Sequence, residues 1–376
     1  MRNCIMVAVD AHEQKLVLRF ALDRGAAESM QVSNERHGRD RMLTQFRGRA
    51  KAADGARVIF AYEASSEGYG LYDDVTDAGF ECHVLAPSLM ARSQKHRRSK
   101  TDRRDSDAML DLLRAHVLAG NELPDVWIPD HRTRDDREVV RARIDAGCKL
   151  TSVKTQVKSL LKRNGFRRPK KLGKGWTRDY RAWLGGLSLF EERGLGLGAR
   201  LALASYLRQI GSLETEIAHL DAAVCELAQT DRYREPVGAL VARFKGVAGY
   251  TAMVFLTEMG DLSRFSNRRE IGAYLGLVPS SDESGETTDR KGHITHQGSW
   301  RMRKALCQAA WSRIRTDERE RIVYDRIVDK NPKHKKIATV AIMRRLAVQM
   351  WHVALEAQER AGCFCEAEPA PAAVGT

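Results

Sequence analysis

Long hydrophobic runs are missing from this chain of 376 residues. No uninterrupted apolar stretch reaches the roughly 18 residues that a membrane-spanning helix needs, and the mean hydropathy is −0.44. The N-terminal stretch turns polar after one short apolar run and offers no small-residue cleavage site, so it does not match a signal peptide. These absences predict a cytoplasmic protein with no membrane partner.

Cysteine pairs with the spacing of a metal site are also missing. The seven cysteines are scattered along the chain, and only Cys363 and Cys365 lie close together. Without a CxxC pair there is no zinc-finger spacing. Disulfide frameworks belong to short secreted chains rather than to one of this length. Neither disulfides nor a structural zinc site is therefore expected to define the fold.

Negative charge is in the minority. Lys and Arg total 63 against 49 Asp and Glu, which gives a formal net charge of +14 and a pI of about 9.6. A chain this basic is expected to bind a polyanion, and nucleic acid is the default partner. No motif reads bases directly, because the chain has no zinc finger, no RNP-type aromatic pair and no obvious recognition helix.

The pattern of the chain changes twice, which divides it into three segments and a tail. Residues 1–125 alternate between strand and helix signals and predict an α/β domain. Residues 126–234 carry apolar stripes at helical spacing on either side of a basic loop, which predicts a long antiparallel helical hairpin or coiled coil. Residues 235–360 predict a mainly helical domain, and residues 361–376, rich in Ala and Pro, predict a disordered tail.

The first segment has the clearest strand signals. Residues 5–9 form a short apolar run, and the alternating residues 16–22 predict its hairpin partner. Residues 58–62 form a buried-type strand that runs directly into Glu63. A helix is expected to begin near Asp102. Its predicted buried positions, at helical spacing, are Ala108, Leu112 and Ala115.

Two glycines mark the start of the third segment. Gly246 and Gly249 lie three residues apart at the beginning of an apolar helix. This arrangement is typical of a helix-hairpin-helix element, in which glycine lets backbone N–H groups approach a phosphate closely.

Four acidic residues carry the chemistry that the sequence suggests. Asp10 and Glu63 each close a strand, and they would emerge at neighbouring strand ends if those strands pair. Asp102 and Asp105 are spaced i, i+3 and share one face of a helix. Carboxylates from separate elements are what a two-metal phosphoryl-transfer site uses, so the four residues predict a site for Mg²⁺ (or Mn²⁺).

Simpler roles for acidic residues stay open at this point. Most Asp and Glu side chains are solvated surface groups, and Asp102 could be an acid at a helix N-terminus that balances the helix dipole. Asp107 lies two residues past Asp105 and would point away from the shared face, so it is left out of the site. His12, two residues past Asp10, could touch the outer shell of the metal.

Basic runs supply candidate contacts to nucleic acid. One run flanks the predicted metal site on its N-terminal side, and a second, in the basic loop of the middle segment, has interleaved aromatic residues that favour base stacking. Together with two arginines of the third segment, the candidate nucleic-acid-binding residues are Lys95, Arg97, Arg98, Lys100, Arg167, Arg168, Lys170, Lys171, Arg301 and Arg303.

Three short segments resemble a known family. IMVAVDAHEQ around Asp10, AYEAS around Glu63 and KTDRRDSDAM around Asp102 and Asp105 resemble the acidic motifs of the insertion-sequence DEDD transposases of the IS one-ten type. The N-terminal domain of that family resembles RuvC-like junction resolvases of the RNase H-like fold. Residues 235–355 are similar to the family's C-terminal transposase domain nearly throughout.

The resemblance implies a recombinase with a composite active site. In such an enzyme the acidic tetrad binds magnesium, and a serine of the C-terminal domain attacks a DNA phosphate to form a covalent intermediate. By position this serine is Ser284. Family members often carry two serines before the following glycine, but here the first of them is replaced by Glu283.

The family also implies partners. These are donor and target DNA, and an element-encoded guide RNA that pairs with both. The metal would be held by the N-terminal domain, and that domain could belong to another protomer. This implies a homo-oligomer, either a dimer or a tetramer. Two other functions stay open: a hydrolytic RuvC-like junction endonuclease in which Ser284 is structural, and a non-enzymatic nucleic-acid-binding scaffold.

Overall fold

A computed structural model of the chain describes residues 3–90, 102–189, 194–281 and 291–362, with the side chains of residues 102–105, 281 and 291 outside the description. The chain forms two compact units, of which the first ends at Ile128 and the second begins at Pro129. Within the described ranges, no helix combines the length and the apolar character needed to cross a bilayer. The predicted tail lies outside the described residues from Cys363 onward.

The first unit is built on a five-stranded mixed sheet, as the strand signals predict. Its spatial order is β3-β2-β1-β4-β5. The first three strands are antiparallel, which confirms the predicted hairpin, while β4 pairs parallel to β1 and β5 parallel to β4. The elements are β1 (Cys4–Ala11), β2 (Lys15–Leu22), β3 (Glu28–Ser33), α1 (Arg36–Ala52), β4 (Arg57–Glu63), α2 (Gly70–Asp77), β5 (Glu81–Leu85) and α3 (Asp102–Ala119).

Helices cover both faces of this sheet, because successive strand side chains point to opposite sides. On one face Val9 and Tyr62 pack in a core with Phe46 of α1. On the other face Ala8 and Ala61 pack in a core with α3. This arrangement of sheet and helices fits an RNase H-like domain.

The buried face of α3 differs from the predicted one. The residues that it buries are Ser106, Met109, Leu110 and Leu113, whereas Ala108 is exposed. Larger apolar side chains gain more free energy from burial than alanine does, so Met109, Leu110 and Leu113 set the rotation of the helix. The predicted buried stripe, which ran through Ala108 and Ala115, was therefore displaced by about one residue from the face that the helix buries.

In its described residues, the second unit is almost entirely helical, with one short hairpin. It fits the helical C-terminal part that the sequence predicts. Its elements are α4 (His131–Arg163), α5 (Arg178–Leu189), α6 (Leu197–Ala228), α7 (Arg234–Arg243), α8 (Gly249–Met259), α9 (Arg268–Tyr274), β6 (Pro279–Ser281), β7 (Lys291–Ile294), α10 (Trp300–Thr316), α11 (Glu318–Lys330) and α12 (Lys335–Ala361).

The long helices α4 and α6 lie side by side in opposite directions. Arg143 donates to Asp221 over 2.6 Å, and Lys154, further along α4, donates to Glu214, which lies earlier in α6. One apolar core continues from Ile144 of α4 into the helices that follow α6. It therefore spans both predicted segments of this unit, and the boundary between residues 234 and 235 stays a prediction.

An ion pair with one buried partner joins α4 to α8. Arg141 donates from Nε to Oε1 of Glu258 over 2.8 Å, and the Glu258 side chain is only 5% exposed. Burial raises the pKa of Glu258, but hydrogen bonding and the charge of Arg141, with the charge of Arg137, outweigh it and hold that pKa below its usual value. Arg137 also donates to the carbonyl of Thr257. Glu258 is therefore ionised at neutral pH, and removing Arg141 would leave a buried charge without its main partner, which is costly.

The two glycines before α8 have different environments. Gly246 has a φ of +86°, and a Cβ there would lie 2.8 Å from Cβ of Ser312 and 3.3 Å from the carbonyl oxygen of Ala309. Gly249 is the first residue of α8, and a Cβ there would meet nothing within 4 Å. Close packing against α10 accounts for Gly246, so its presence does not require a nearby phosphate.

This difference gives a testable pair of variants. Gly246→Ala is expected to lower the free energy of unfolding by about 2 kcal/mol or more, because it combines a strained backbone with a steric clash. Gly249→Ala should change it by no more than about 1 kcal/mol. Urea denaturation of the full chain, followed by circular dichroism, measures both. A Gly246→Ala variant that keeps full stability but loses DNA affinity would instead favour the phosphate-approach interpretation.

Candidate active site

Asp10 and Glu63 lie at neighbouring positions where two parallel strands end. Val9 of β1 is paired with Tyr62 of β4, so the next residue on each strand is Asp10 on one side and Glu63 on the other. Neighbouring strands are about 4.8 Å apart. The register therefore brings these two predicted metal ligands side by side.

Both residues also project from the same face of the sheet. Asp10 is two residues past Ala8, and Glu63 is two residues past Ala61, and both alanines belong to the core that α3 covers. Because side chains two positions apart on a strand share a face, Asp10 and Glu63 lie on the α3 side.

Helix α3 begins at that same end of the sheet. Asp107 accepts a 2.6 Å hydrogen bond from Nε of Arg19, and Arg19 is paired with Ala8 near the end of β1. Seven residues later, Arg114 donates to the carbonyl of Gly25, which follows the end of β2 and so lies near the start of β1. The helix thus runs from the end of β1 towards its start, and its first turn, with Asp102 and Asp105, lies at the end where Asp10 is found.

Asp10 is held in a partly solvated polar environment. Its side chain is 22% exposed, and His12 Nε2 lies 3.3 Å from Asp10 Oδ2. Asn34 fixes the loop at this point, because its Nδ2 donates to the carbonyl of His12 over 2.7 Å. Glu63 is also half-buried. Partly exposed carboxylates on one face fit a hard divalent cation that keeps several waters, as Mg²⁺ does.

Ser284 lies outside the described residues, but the strands on either side of it are described. β6 and β7 pair antiparallel, with Pro279 opposite Ile294, and Ser284 falls between them in the sequence. Ser280 donates from Oγ to the carbonyl of His293 over 3.1 Å. That hydroxyl is used to hold the hairpin together.

The base of this hairpin is a close crossing of two backbone segments. Gly276 has a φ of +62° and Gly298 a φ of +78°, and a Cβ on either would overlap backbone atoms of the other segment. Arg303 reaches the same crossing, where its Nη1 donates to the carbonyls of Leu275, Gln297 and Gly298 over 3.0–3.2 Å. The Arg303 guanidinium is thus engaged in the fold, and its predicted contact with nucleic acid stays a prediction.

Some of the other predicted nucleic-acid-binding residues make contacts within the protein, and others are exposed. Arg301 pairs with Asp145 over 3.1 Å, and Arg168 lies 3.8 Å above the Tyr180 ring and donates to the carbonyl of Leu172. The exposed ones are Arg167, Lys170 and Lys171. Those outside the described residues are Lys95, Arg97, Arg98 and Lys100.

A polar cluster that the sequence did not suggest lies on the same face of the sheet, towards the start of β5. His83 contacts Asp125 through Nδ1 at 2.8 Å and Glu81 through Nε2 at 2.9 Å, and His116 of α3 lies beside it, with ring centroids 5.6 Å apart. Burial lowers the pKa of His83, but its hydrogen bonds to the two carboxylates outweigh this and raise the pKa to about 9. The only sequence signal was a Glu and a His two apart on one strand, because His116 joins them only through the packing of α3.

Family models match both the N-terminal and the C-terminal part of the chain. A family model described as a transposase of the DEDD, IS110 type matches residues 7–165, a range that includes the four predicted acidic residues. A second model, described as "Transposase IS116/IS110/IS902 family", matches residues 238–325, a range that includes Ser284.

Individual relatives agree with these matches. The chain is 33% identical over 327 residues to the putative transposase y4qE of Sinorhizobium fredii, which covers 80% of this chain and 76% of the relative. It is 27% identical to the putative transposase y4rJ of the same organism, over 83% of this chain and 81% of the relative. It is also 25% identical to the transposase for insertion sequence element IS1533 of Leptospira borgpetersenii, over 72% and 73%.

Proposed function

Because this chain belongs to the IS110-type DEDD transposases, which are enzymes that act on DNA, we propose that it excises and inserts an insertion sequence by magnesium-dependent strand cleavage and exchange through a covalent serine–DNA intermediate. The observation that carries the proposal is the register of β1 and β4, which sets Asp10 beside Glu63 on the face where α3 begins.

The four acidic residues are assigned to the metal. Asp10 and Glu63 would hold it at the strand ends, with Asp102 and Asp105 contributing from the first turn of α3. When bound, Mg²⁺ or Mn²⁺ would supply positive charge for the phosphate oxygens and orient the scissile phosphate. His12, which lies 3.3 Å from Asp10, would orient that carboxylate.

Ser284 is assigned to the covalent step. Its hydroxyl oxygen attacks the phosphorus of a DNA strand, so that one P–O bond forms to the serine and one P–O bond to a deoxyribose oxygen breaks. The proton that the serine hydroxyl loses is balanced by the proton that the leaving sugar hydroxyl gains. Because one phosphodiester replaces another, the DNA strand can be rejoined to a new partner by the reverse reaction, without another source of energy.

The rest of the chain is assigned to assembly and binding. We propose that residues 1–125 are the metal-binding domain, that the antiparallel helices of residues 126–234 form a coiled coil that supports a dimer or tetramer, and that residues 235–360 carry the serine. The α7–α8 pair would contact DNA as a helix-hairpin-helix element. A net charge of +14 supports binding to donor and target DNA and to an element-encoded guide RNA.

Dependence on the guide RNA can be tested with purified components. Wild-type protein is incubated with plasmids that carry the donor and target sites and Mg²⁺, with and without RNA transcribed from the DNA that flanks the gene. Recombinant junctions, counted by sequencing, are expected to rise at least about 100-fold with the RNA, because base pairing supplies the choice of site that the protein's own motifs lack.

A scrambled RNA of the same length and composition is the control, since it preserves charge but not pairing. Equal recombination with the native and the scrambled RNA would contradict the guided mechanism while leaving the recombinase in place. Cleavage of branched DNA without any rejoined product would instead favour the hydrolytic junction endonuclease.

A further inference from the structure

We propose that Glu81, His83 and His116 form a second metal site in the first unit, which takes a transition-metal ion of the Zn²⁺ type. It is separate from the predicted magnesium site, since it lies near the start of β5 and the end of α3 rather than at the strand ends near Asp10. None of the cysteine spacings that usually reveal a zinc site is involved.

The three donor groups already converge. One ligand atom from each of Glu81, His83 and His116 lies within 4.8 Å of the other two. Ligands of a four-coordinate zinc ion, bound at 2.0–2.2 Å, stand about 3.4 Å from one another. We expect rotation of the three half-buried side chains to close that difference.

Both imidazoles are oriented as metal-binding histidines are. Nδ1 of His116 lies 2.7 Å from the carbonyl oxygen of Asn121, which can only accept, so Nδ1 donates there and Nε2 is the nitrogen that would bind the metal. Nδ1 of His83 lies 2.8 Å from Asp125, and its Nε2 faces Glu81. A carbonyl or carboxylate behind each ligand imidazole is the usual outer shell of a metal site.

Glu81 is positioned by a partner on its other oxygen. Arg57 donates from Nε to Oε2 over 2.8 Å, which leaves Oε1, 2.9 Å from Nε2 of His83, directed at the histidine pair. A metal ion would take the place of the proton between Oε1 and Nε2, and that proton would pass to solvent.

The donor set decides the class of ion. Two imidazole nitrogens and one carboxylate oxygen suit Zn²⁺ and its neighbours in the first transition row, whereas Mg²⁺ prefers oxygen ligands alone. A water molecule would complete four-coordination.

The ion would tie the end of α3 to the edge of the sheet. β5 is an edge strand. Leu85 and its neighbours bridge it to the segment at Asp125 through the backbone, and His83 does so through its side chain. His116 is fourteen residues from Asp102, or about 21 Å along the helix at 1.5 Å per residue. The second site would therefore fix α3 at the end opposite to its acidic first turn.

Cobalt binding to the full chain tests the site without relying on DNA chemistry. Metal-stripped protein is titrated with Co²⁺ in a buffer with excess Mg²⁺, which occupies the oxygen-only site. One equivalent is expected to give the intense visible absorption of four-coordinate Co²⁺, and Zn²⁺ should displace it. His116→Ala and the better-packed His116→Gln should each weaken binding by at least about 10-fold, with folding checked by circular dichroism.

Two matched variants locate the ion. His37→Ala removes an exposed histidine of α1 in the same unit. Asp10→Asn alters the predicted magnesium site. Neither variant should change the cobalt spectrum. The proposal is overturned if wild type gives no such spectrum, if the spectrum survives both His116 variants, or if Asp10→Asn abolishes it. In any of these cases the cluster is an ion-pair network only, and the proposed recombination reaction is unaffected.

Discussion

Ser284→Ala is expected to abolish strand exchange, with a fall in recombination of at least about 10⁴-fold, because the hydroxyl that would form the bond to phosphorus is gone. DNA binding should be unchanged, since the substitution removes one oxygen and no charge. Recombinant junctions measure the first effect, and a gel-shift titration measures the second. Wild-type protein stopped in denaturant should also show a DNA-linked band that the variant lacks.

Ser280→Ala is the matched control for this variant. Ser280 lies on β6 of the same hairpin, and its hydroxyl donates to the carbonyl of His293. Losing that hydrogen bond should cost about 1 kcal/mol of stability and leave recombination within a few fold of wild type. If Ser284→Ala instead kept full cleavage, the serine would be structural and a hydrolytic nuclease would replace the transposition mechanism proposed above. If Ser280→Ala alone lost the DNA-linked band, the nucleophile would have been assigned to the wrong serine.

The second large effect is expected from Asp10→Asn. The amide keeps the shape of the side chain but removes the negative charge that a divalent cation needs. A metal contributes several kcal/mol to stabilisation of the transition state, so recombination should fall at least about 10³-fold at saturating Mg²⁺. The thermal unfolding temperature should change little, because the Asp10 side chain is partly exposed.

Asp107→Asn is the control for charge in the same region. Asp107 pairs with Arg19 and its side chain is 42% exposed, so the variant should lose no more than about 1 kcal/mol and keep its activity. Recombination at the wild-type level by both Asp10→Asn and Ser284→Ala would leave only the nucleic-acid-binding scaffold, with the acidic residues as surface groups. Equal losses in Asp10→Asn and Asp107→Asn would point to a general effect of charge instead of a metal site.

Local patterns predicted much of the first unit. Alternating and continuous apolar runs identified β1, β2 and β4, because the hydrophobic pattern of a strand involves only residues that are close in sequence. The same kind of pattern failed for α3, where Ala108 was expected inside and is exposed. Small residues give a weak periodic signal, and the rotation of a helix is decided by the larger side chains it can bury.

Several contacts could not have been predicted from spacing. Glu258 and Arg141 are 117 residues apart, and Gly246 is explained by its approach to α10, which begins more than fifty residues later. Arg303, a candidate nucleic-acid-binding residue, also donates to three backbone carbonyls at the base of the hairpin. For Glu258, Gly246 and the contact of Arg303 with Leu275, the partner comes from a distant part of the chain, so the role depends on how helices pack.

The sequence by itself determined the basic charge, the α/β and helical segments, the family resemblance and the four candidate carboxylates, because composition and local periodicity are properties of neighbouring residues. Only the tertiary structure decided that Asp10 and Glu63 end side by side on the face where α3 begins, and that His116 meets Glu81 and His83 at its other end. The register of parallel strands and the direction of a packed helix arise from contacts between segments far apart in the chain, and these are set by burial of a shared core.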